Sequence, residues 1–479
     1  MNPKNDLDRF FNPRHIAIVG VPRTDDRFGG GSFLRKFLEC GYQGKLYPIN
    51  PNAEELQGLK AYPNLAALPE VPDKAIVSVP AKRVPDVLHE CARIGLRRIH
   101  ILSSGFKETA TEEGRRLEEH ITAIAREKGL LVIGPNCMGA YCPASRLTAW
   151  GAIPGMSGPL GIISQSGGIT QRLTEYTYSL GVGVEKAVSF GNAAALDSTD
   201  FLEFMARDEK IELIAMYLES VKDGRKFLNL AKQVSRQKPI IVWKGGLTPV
   251  GASTAASHTG TLAGTRETWE AFFRQTGVIQ VGSMDEWADA IITMCFLPPP
   301  GGTAAFLIGG GGGNSVGNGD ICVMEGLEVP RLSEATLRTL RETVPLAGSI
   351  AGNPLDMWRT FEDPDYLLEV LEVAYNEPNV DILIVDRMIP RKAFHMPDRE
   401  NLTPRIIDFV QNNRHRKPTV FTADSEGGDA DLAAKGAALR AQFCRAGIPA
   451  YPTTRRAARA LARYYRYHAW KKQGQTENQ

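Results

Sequence analysis

Residues 245–264 are almost all small and include a single imidazole, that of His258. Ser257, Thr259 and Gly260 flank this histidine. A neutral imidazole can attack phosphorus and leave again, and flanking glycines allow the segment that carries it to move. A segment this long without secondary structure of its own is usually functional or disordered. The sequence therefore predicts a loop with His258 as a nucleophile, and the alternative is a solvent-exposed loop histidine.

A nucleophilic histidine needs a group that fixes its tautomer and stabilises the charge that it gains, and a carboxylate does both. Glu219 follows the apolar run 213–218, which predicts a strand. Open parallel sheets bind ligands at the carboxyl ends of their strands, so its carboxylate is expected at the same sheet edge as Ser164 and the segment of His258. Asp197 and Asp200 also follow a predicted strand, but they precede a helical stretch. N-capping accounts for at least one of these two aspartates, and Glu219 is the candidate partner of His258.

A second candidate site is the turn made of Ser164, Gln165, Ser166, Gly167 and Gly168, which runs from a predicted strand into a predicted helix. Two hydroxyl groups and several backbone N–H groups converge there, and this arrangement suits a phosphoryl group or a carboxylate. The alternative is a tight turn in which Ser166 caps the helix. The residues themselves leave both interpretations open.

Two further strand ends are rich in glycine. The first, residues 20–31, begins with Gly20, Val21, Pro22 and Arg23, and it could bring backbone N–H groups close to a phosphate. Its spacing differs from the Gly-x-Gly-x-x-Gly fingerprint, which argues against NAD but leaves open a nucleotide ligand such as CoA, or a turn without a ligand.

The second, the glycine run 309–313, lacks the Gly-Lys-Ser/Thr ending of a Walker loop. We predict a tight strand-to-helix turn there, with a subunit contact as a further possibility.

Short apolar runs alternate with amphipathic stretches along the chain, which predicts an α/β fold with parallel sheets. A chain of 479 residues suits several domains, and we predict three, over residues 1–145, 155–298 and 302–470. The predicted strands cover residues 15–20, 45–50, 74–80, 98–103, 130–134, 160–163, 183–188, 213–218, 239–243, 303–308, 380–385, 418–421 and 447–450. The predicted helices cover residues 31–40, 83–95, 112–128, 168–180, 198–207, 224–236, 265–276, 333–344, 363–375, 402–413 and 455–471.

The composition excludes several classes of protein. The 56 basic and 54 acidic residues leave a net charge of +2, which gives no general attraction to nucleic acid or to membranes. The polar segment 1–14 lacks the apolar core of a signal peptide, and no run of about 18 apolar residues occurs. Seven cysteines without C-x-x-C spacing indicate neither a disulfide framework nor a metal site. We therefore expect a soluble cytoplasmic protein.

Several motifs occur together and in a characteristic order. They are Val79–Ala81, Ser104–Phe106, Gly134–Cys137, Ser164–Gly168, Gly191–Asn192, Tyr217–Glu219, Ser257–Gly260 and Gly352–Asp356. This set resembles the α portion of ADP-forming acetyl-CoA synthetases, relatives of the α subunit of succinyl-CoA synthetase. The resemblance covers nearly the whole chain. It implies an N-terminal Rossmann-like CoA-binding domain followed by two flavodoxin-like domains.

The resemblance also implies a reaction in three stages. Acyl-CoA and phosphate give acyl phosphate and CoA, the histidine matching His258 takes the phosphoryl group, and phosphohistidine then phosphorylates ADP. The glutamate matching Glu219 stabilises this histidine. The residues implied for phosphate or carboxylate binding are Ser164, Gln165, Ser166, Gly167, Gly168 and Gly260. Those implied for CoA binding are Gly20, Val21, Pro22, Arg23, Val79, Pro80, Ser104, Gly105 and Asn136.

Two departures from the family pattern affect these expectations. Ala193–Ala195 replaces a segment that usually contains a lysine and an aspartate, which puts substrate or subunit contacts there in doubt. No ATP-grasp segment follows residue 465, so the resemblance implies a separate ATP-grasp β subunit, in an α2β2 assembly, that binds ATP or ADP and Mg²⁺. The alternative function is a catalytically inactive CoA- or acyl-CoA-binding regulatory protein. A CoA transferase or an oxidoreductase is disfavoured because no cofactor fingerprint is present.

Overall fold

The computed structural model describes residues 4–24, 27–147, 150, 155–259, 264–309, 311–343, 349–387, 389, 403–425 and 430–476. Only the backbone is described for 4, 5, 256–259, 343, 362, 364, 475 and 476. The chain forms two compact units. The first comprises Met1–Tyr178 and Gly183–Gly282, and the second comprises Ser179–Val182 and Ser283–Gln479. Within the described residues, no helix combines the length and apolar character needed to cross a membrane.

The first unit begins with a parallel sheet in the strand order β2-β1-β5-β6-β7. Its strands are β1 (His15–Val19), β2 (Lys45–Ile49), β5 (Lys74–Val77), β6 (Arg98–Ile101) and β7 (Leu131–Ile133), and the hairpin β3 (Glu55–Leu56) and β4 (Leu59–Lys60) follows β2. The helices are α1 (Lys4–Phe11), α2 (Gly30–Glu39), α3 (Val84–Arg93) and α4 (Glu112–Lys128). All five sheet strands lie in predicted apolar runs, as expected for parallel strands that are buried on both faces.

Local signals set the ends of the helices, and α4 is an example. The Thr111 hydroxyl accepts a hydrogen bond from the backbone N–H of Gly114 at 3.1 Å, which caps the first turn. Gly129 ends the helix with a φ of 63°, a left-handed conformation that glycine adopts without steric cost. These two residues explain why the predicted bounds of this helix are correct.

The second sheet also lies in the first unit and has the order β13-β12-β11-β9-β10-β8. Its strands are β8 (Gly139–Tyr141), β9 (Leu160–Ser164), β10 (Val184–Ser189), β11 (Leu213–Leu218), β12 (Ile240–Lys244) and β13 (Ile279–Val281). The edge strand β8 pairs antiparallel with β10, and the other pairs are parallel. The helices of this part are α5 (Gly167–Ser179), α6 (Ser198–Ala206), α7 (Gly224–Ser235), α8 (Pro249–Thr259) and α9 (Arg266–Thr276).

The second unit contains one parallel sheet of four strands in sequential order. The strands are β14 (Ala305–Ile308), β15 (Ile382–Asp386), β16 (Thr419–Thr422) and β17 (Ala450–Tyr451). The helices are α10 (Met284–Phe296), α11 (Gly312–Met324), α12 (Glu334–Thr343), α13 (Arg359–Glu362), α14 (Pro364–Asn376), α15 (Thr403–Asn413), α16 (Ala430–Arg445) and α17 (Thr454–Thr476).

The structure confirms the α/β class with parallel sheets but differs from the sequence prediction in detail. The predicted ranges include no helix for α1, α8, α10, α11, α13 or α16, and no strand for β3, β4, β8 or β13. The larger segment of the second unit begins at Ser283, so α10 belongs to the unit of the third sheet, whereas the predicted second domain extends to residue 298. The division into three domains therefore remains a proposal.

A buried lysine in the first sheet leads to a prediction about stability. Lys74 is 1% exposed, and its Nζ donates to the backbone oxygen of Phe10 at 2.9 Å. Burial lowers the pKa of Lys74 to about 7, and the neighbouring Cys142 opposes this decrease. Lysine in an unfolded chain titrates near pH 10.4. Between about pH 7 and that value the unfolded state binds more protons, so the stability of the wild type rises with pH across this window.

Lys74→Met keeps the aliphatic volume and removes the buried charge. At pH 6 we expect the free energy of unfolding to increase by about 2 kcal/mol, because the folded wild type must hold an ammonium group away from water. At pH 10 we expect the variant to be less stable by about 1 kcal/mol, because the Phe10 oxygen has lost its donor. Urea unfolding followed by circular dichroism at both pH values measures the difference. If the variant and the wild type differed in free energy of unfolding by the same amount at pH 6 and pH 10, this explanation would be wrong.

Candidate functional site

The turn between β9 and α5 joins the end of a buried strand to the N-terminus of a helix. Ser164 is fully buried, and its hydroxyl donates to the backbone oxygen of Ser166 at 2.9 Å and accepts from the Ser166 N–H at 3.0 Å. The Ser166 hydroxyl in turn accepts from the N–H of Ile169 at 3.3 Å, which caps α5. The sequence left a capped turn and a phosphate cradle as alternatives. The cap is present, and it does not use the N–H groups of Gly167 and Gly168.

These two glycines open the first turn of α5. A Cβ atom at Gly167 would lie 2.5 Å from Cγ of Met138, whereas a Cβ atom at Gly168 would meet nothing within 4 Å. The first N–H groups of a helix have no partner within the helix and carry a partial positive charge. The turn can therefore bring backbone donors to a phosphate or a carboxylate.

Glu219 lies at the same edge of the second sheet as this turn. Strand β11 pairs with β9 so that Tyr217 is opposite Ser164, and Glu219 follows directly after the end of β11. The Tyr217 hydroxyl donates to Oε1 of Glu219 at 3.2 Å, and burial raises the pKa of Tyr217, which keeps this hydroxyl protonated. The structure thus brings together Glu219 and the Ser164 turn, as the sequence predicted.

The side chain of Gln165 holds the turn that contains Glu219. Its Oε1 accepts from the backbone N–H groups of Glu219 at 2.5 Å and Ser220 at 3.0 Å, and its Nε2 donates to the Ser220 hydroxyl at 3.3 Å. This side chain therefore holds the backbone from which the carboxylate projects, and the backbone N–H of Gln165 donates to the backbone oxygen of Tyr217 at 3.2 Å. The sequence analysis named Gln165 as a phosphate ligand and missed its contact with Glu219.

The segment that carries His258 is not the structureless loop that the sequence predicted. Residues 249–259 form helix α8, which begins with Pro249 in the first turn. The Thr248 hydroxyl accepts from the N–H of Gly251 at 3.1 Å and caps this helix. The backbone of His258 lies in the last turn of α8, while its imidazole and Gly260 lie outside the described residues.

Helix α8 contacts the 3₁₀ turn Lys107–Thr109, which follows the predicted CoA-binding residues Ser104 and Gly105. The chain enters α8 from β12, whose carboxyl end lies at the same sheet edge as Glu219. The helix that carries the histidine therefore follows a strand end next to Glu219 and contacts the turn Lys107–Thr109. A mobile loop is not required to bring the chain to this position.

Asp197 and Asp200 have the structural role that the sequence suggested. Asp197 caps α6 by accepting from the N–H of Thr199 at 2.7 Å, and Asp200 accepts from the N–H of Asp197 at 2.9 Å. The two carboxylates form a capping box, and neither is a candidate partner of the histidine.

The first predicted CoA-binding turn begins at Gly20, directly after the last residue of β1. Gly20 has a φ of 90°, and a Cβ atom there would lie 2.2 Å from the backbone oxygen of Ser78. The Ser78 hydroxyl accepts from the N–H of Gly30 at 3.1 Å, so it ties the first turn of α2 to the end of β5. Val21 is buried and Arg23 is exposed. The turn Gly20–Arg23 therefore presents backbone and a guanidinium group at the carboxyl edge of the first sheet, where parallel sheets bind ligands.

The other predicted CoA-binding residues lie at the same edge. The Ser103 hydroxyl donates to the backbone oxygen of Val79 at 2.6 Å, and its own backbone oxygen accepts from the N–H of Asn136 at 2.9 Å. These contacts join the ends of β5, β6 and β7. Pro80 follows Val79, and Ser104 follows Ser103. This row of strand ends fits an extended ligand that contains phosphate, such as CoA.

A buried polar network links this edge to the second sheet, and the sequence analysis did not find it. Oε1 of Glu108 accepts from the N–H of Gly105 at 2.6 Å, and its Oε2 accepts from Nδ2 of Asn192 at 2.6 Å. The same Nδ2 lies 2.8 Å from Oε2 of Glu118, whose other oxygen is 2.8 Å from Nζ of Lys107. The motif Gly191–Asn192 was the available signal, but its partners are distant in sequence.

The segment Ala193–Ala195, where the chain departs from the family pattern, is packed against the first sheet. Ala193 and Ala194 are each 4% exposed, and the N–H of Ala194 donates to the backbone oxygen of Gly134 at 2.8 Å. Nζ of Lys222 donates to the backbone oxygen of Ala194 at 3.2 Å. In this chain the segment is therefore a contact between the two sheets of the first unit.

The glycine run 309–313 joins β14, which ends at Ile308, to α11, which begins at Gly312. This confirms the predicted strand-to-helix turn, although Gly310 lies outside the described residues. Among the residues that the structure describes, no group of three or more histidine, cysteine, aspartate or glutamate side chains could hold a metal ion.

Comparison with known proteins places this α/β chain in the class of CoA-binding ligases of the succinyl-CoA ligase type. The family described as "CoA binding domain" matches residues 14–143, and the family described as "Succinyl-CoA ligase like flavodoxin domain" matches residues 157–294. The α subunit of ADP-forming acetate–CoA ligase I from Pyrococcus furiosus is 35% identical to this chain, over 97% of this chain and 98% of its own length. The α subunit of ADP-forming acetate–CoA ligase II from the same organism is 36% identical, over 86% and 89% respectively.

A solved structure is also similar, that of the dinucleotide forming acetyl-coenzyme A synthetase 1 of Ca. Korarchaeum cryptofilum in complex with phosphate and ADP. It has 33% sequence identity and a TM-score of 0.84, and the match covers 98% of each chain. The chain belongs to the family of α subunits of ADP-forming acyl-CoA ligases, which are acid–thiol ligases. These findings do not support the alternative of a catalytically inactive regulatory protein.

Proposed function

We propose that this chain carries a phosphoryl group on His258 while the enzyme interconverts acyl-CoA, ADP and phosphate with a carboxylic acid, CoA and ATP. One observation carries this proposal. The capped turn at Ser164, the carboxylate of Glu219 and the strand that leads into α8 lie at one edge of one sheet. An anion-binding helix end and a carboxylate that can stabilise an imidazolium are the groups that a phosphohistidine needs.

In the first stage, an oxygen of inorganic phosphate attacks the thioester carbonyl carbon of acyl-CoA. The C–S bond breaks, CoA leaves as the thiol, and acyl phosphate forms. The phosphate lies at the N-terminus of α5, where the N–H groups of Gly167 and Gly168 oppose its charge. Ser164, Gln165, Ser166 and Gly260 complete the proposed phosphate or carboxylate site.

In the second stage, a ring nitrogen of His258 attacks phosphorus, the bond between phosphorus and the acyl oxygen breaks, and the carboxylic acid leaves. Glu219 stabilises the charge that the ring gains. In the third stage, a terminal oxygen of ADP attacks the same phosphorus, and the P–N bond breaks to give ATP. All three stages are reversible.

The CoA substrate is proposed to bind along the edge of the first sheet, at Gly20–Arg23, Val79, Pro80, Ser104, Gly105 and Asn136. The contact between α8 and the turn Lys107–Thr109 brings the helix that carries the histidine to this edge. ADP, ATP and Mg²⁺ are proposed to bind to a separate ATP-grasp β subunit in an α2β2 assembly in the cytoplasm.

The intermediate itself tests this proposal. The chain is purified together with its ATP-grasp partner and incubated with Mg²⁺ and ATP labelled at the γ-phosphate. We expect acid-labile label on this chain, which is lost on addition of ADP or of a carboxylic acid together with CoA. Tight CoA binding without label under any nucleotide would instead support the regulatory alternative.

A further inference from the structure

Lys244 is a buried lysine beside Glu219 to which the proposed mechanism assigns no step. It is the last residue of β12 and is 3% exposed. Its Nζ donates to the backbone oxygen of Glu219 at 2.9 Å and also to the backbone oxygen of Gly245. The same Nζ lies 5.2 Å from the centroid of the Trp269 ring. Lysine is rarely buried so completely unless its charge has specific partners.

Lys244 has these partners because the hydrogen-bonded ladder between β11 and β12 ends at this residue. In the order β13-β12-β11-β9, strand β11 has β12 on one side and β9 on the other. The ladder between β11 and β12 ends with the pair Leu218 and Lys244, so the peptide groups of Glu219 lie beyond it. Buried peptide groups outside a ladder need other partners.

Side chains from the two flanking strands supply these partners. From the end of β9, Gln165 accepts the N–H of Glu219 at 2.5 Å, and from the end of β12, Lys244 donates to the carbonyl of Glu219 at 2.9 Å. The backbone of Glu219 is thus held on both sides. Its carboxylate is held separately by the Tyr217 hydroxyl at 3.2 Å.

Lys244 differs from Gln165 in one respect. Its Nζ also donates to the backbone of the segment that leads to His258. Gly245, whose carbonyl is its second acceptor, is the first residue after β12 on the way to α8. One ammonium group therefore joins the backbone of Glu219 to the start of the segment that carries His258.

We propose that Lys244 is a positioning residue that fixes the carboxylate of Glu219 relative to the helix that carries His258. This inference rests on the proposed function, because it assigns to Lys244 an effect on phosphorylation of that histidine. Burial lowers the pKa of Lys244 to about 8, while the Glu219 carboxylate opposes the decrease, so the ammonium form is present at pH 7. An ammonium group can donate to two carbonyl groups at once.

The test is a double-mutant cycle on the rate of phosphorylation of this chain by labelled ATP and the ATP-grasp partner. Lys244→Met is expected to lower the rate about 10- to 100-fold, as for a misplaced reacting group, and to leave CoA affinity unchanged. In the Glu219→Gln background, Lys244→Met is expected to change the rate less than about 3-fold, because residues that act through one group are not additive. Lys244→Gln keeps one donor group and is expected to give an intermediate rate.

Lys238 provides a matched control, because it precedes the other end of β12 and also donates to backbone carbonyls, those of Met205 and Asp208. The Lys238→Met variant is expected to be phosphorylated at the wild-type rate. A folded Lys244→Met or Lys244→Gln variant that is labelled as fast as the wild type would overturn this inference but not the proposed function. Lys244→Met would also contradict the inference if it lowered the phosphorylation rate by the same factor in the wild-type and Glu219→Gln backgrounds. If the wild type itself acquires no label, the proposed function fails as well.

Discussion

Replacement of His258 by asparagine is expected to reduce turnover at least about 10⁴-fold, because loss of a nucleophile removes the covalent route entirely. Asparagine is polar and close in size, but it cannot accept a phosphoryl group and release it again. Formation of ATP from acyl-CoA, ADP and phosphate, in the presence of the ATP-grasp partner, measures the loss. CoA affinity should not change, because the proposed CoA residues lie at the edge of the first sheet.

His120 is an exposed histidine on α4 and serves as the control for this substitution. His120→Asn is expected to retain wild-type turnover, since α4 lies on the first sheet and supplies none of the proposed phosphate ligands. If His258→Asn retains more than about 1% of wild-type turnover while His120→Asn is unchanged, the covalent route through His258 is wrong.

Replacement of Gly20 by alanine is expected to weaken CoA binding at least about 100-fold, a loss of about 2.7 kcal/mol. The added Cβ would lie 2.2 Å from the backbone oxygen of Ser78 and 2.9 Å from Cγ1 of Val79. The strand ends must move apart to accept it. Val79 belongs to the row that is proposed to contact CoA, and Ser78 directly precedes it, so the binding surface changes directly. Isothermal titration calorimetry with CoA measures the effect.

Gly58 separates this steric effect from the strain of the backbone conformation. Its φ is 80°, close to the 90° of Gly20, but a Cβ atom there would meet nothing within 4 Å. Gly58→Ala should therefore lose about 1 kcal/mol of stability from left-handed strain and keep its CoA affinity. A folded Gly20→Ala variant with wild-type CoA affinity would exclude the turn after β1 from the CoA site.

Much of the fold could be predicted because parallel strands buried on both faces give continuous apolar runs. Several elements that escaped prediction lack such patterns. Helix α8 is rich in alanine, serine, threonine and glycine and has no apolar stripe, so its composition resembles that of a loop. Strand β8 is a three-residue edge strand with the sequence Gly-Ala-Tyr, too short to show alternation.

Helix α10 is different, because its sequence did contain a signal. The Ser283 hydroxyl accepts from the N–H of Glu286 at 3.2 Å, and serine followed three residues later by glutamate is the pattern of a capping box. An apolar run follows directly. The predicted second domain ends at residue 298, just after this helix, and the predicted ranges do not include the helix.

The sequence could predict those parts of the site that follow from one rule, namely that parallel sheets bind ligands at the carboxyl ends of their strands. That rule correctly placed Glu219 beside the turn at Ser164, because both follow parallel strands. It could not show that Gln165 and Lys244 hold the two sides of the Glu219 peptide, since this depends on β11 lying between β9 and β12. Strand order is set by crossover connections, which leave no local pattern in the sequence.

The most direct test of the central claim is mass-spectrometric localisation of the phosphate under conditions that preserve phosphohistidine. The chain is incubated with ATP, Mg²⁺ and its ATP-grasp partner, digested at neutral or alkaline pH, and sequenced by fragmentation. We predict an added phosphate on the peptide that contains His258, with the fragment ions placing it on the imidazole. Phosphate on any other residue, with an unmodified His258 peptide at full recovery, would contradict the proposed mechanism.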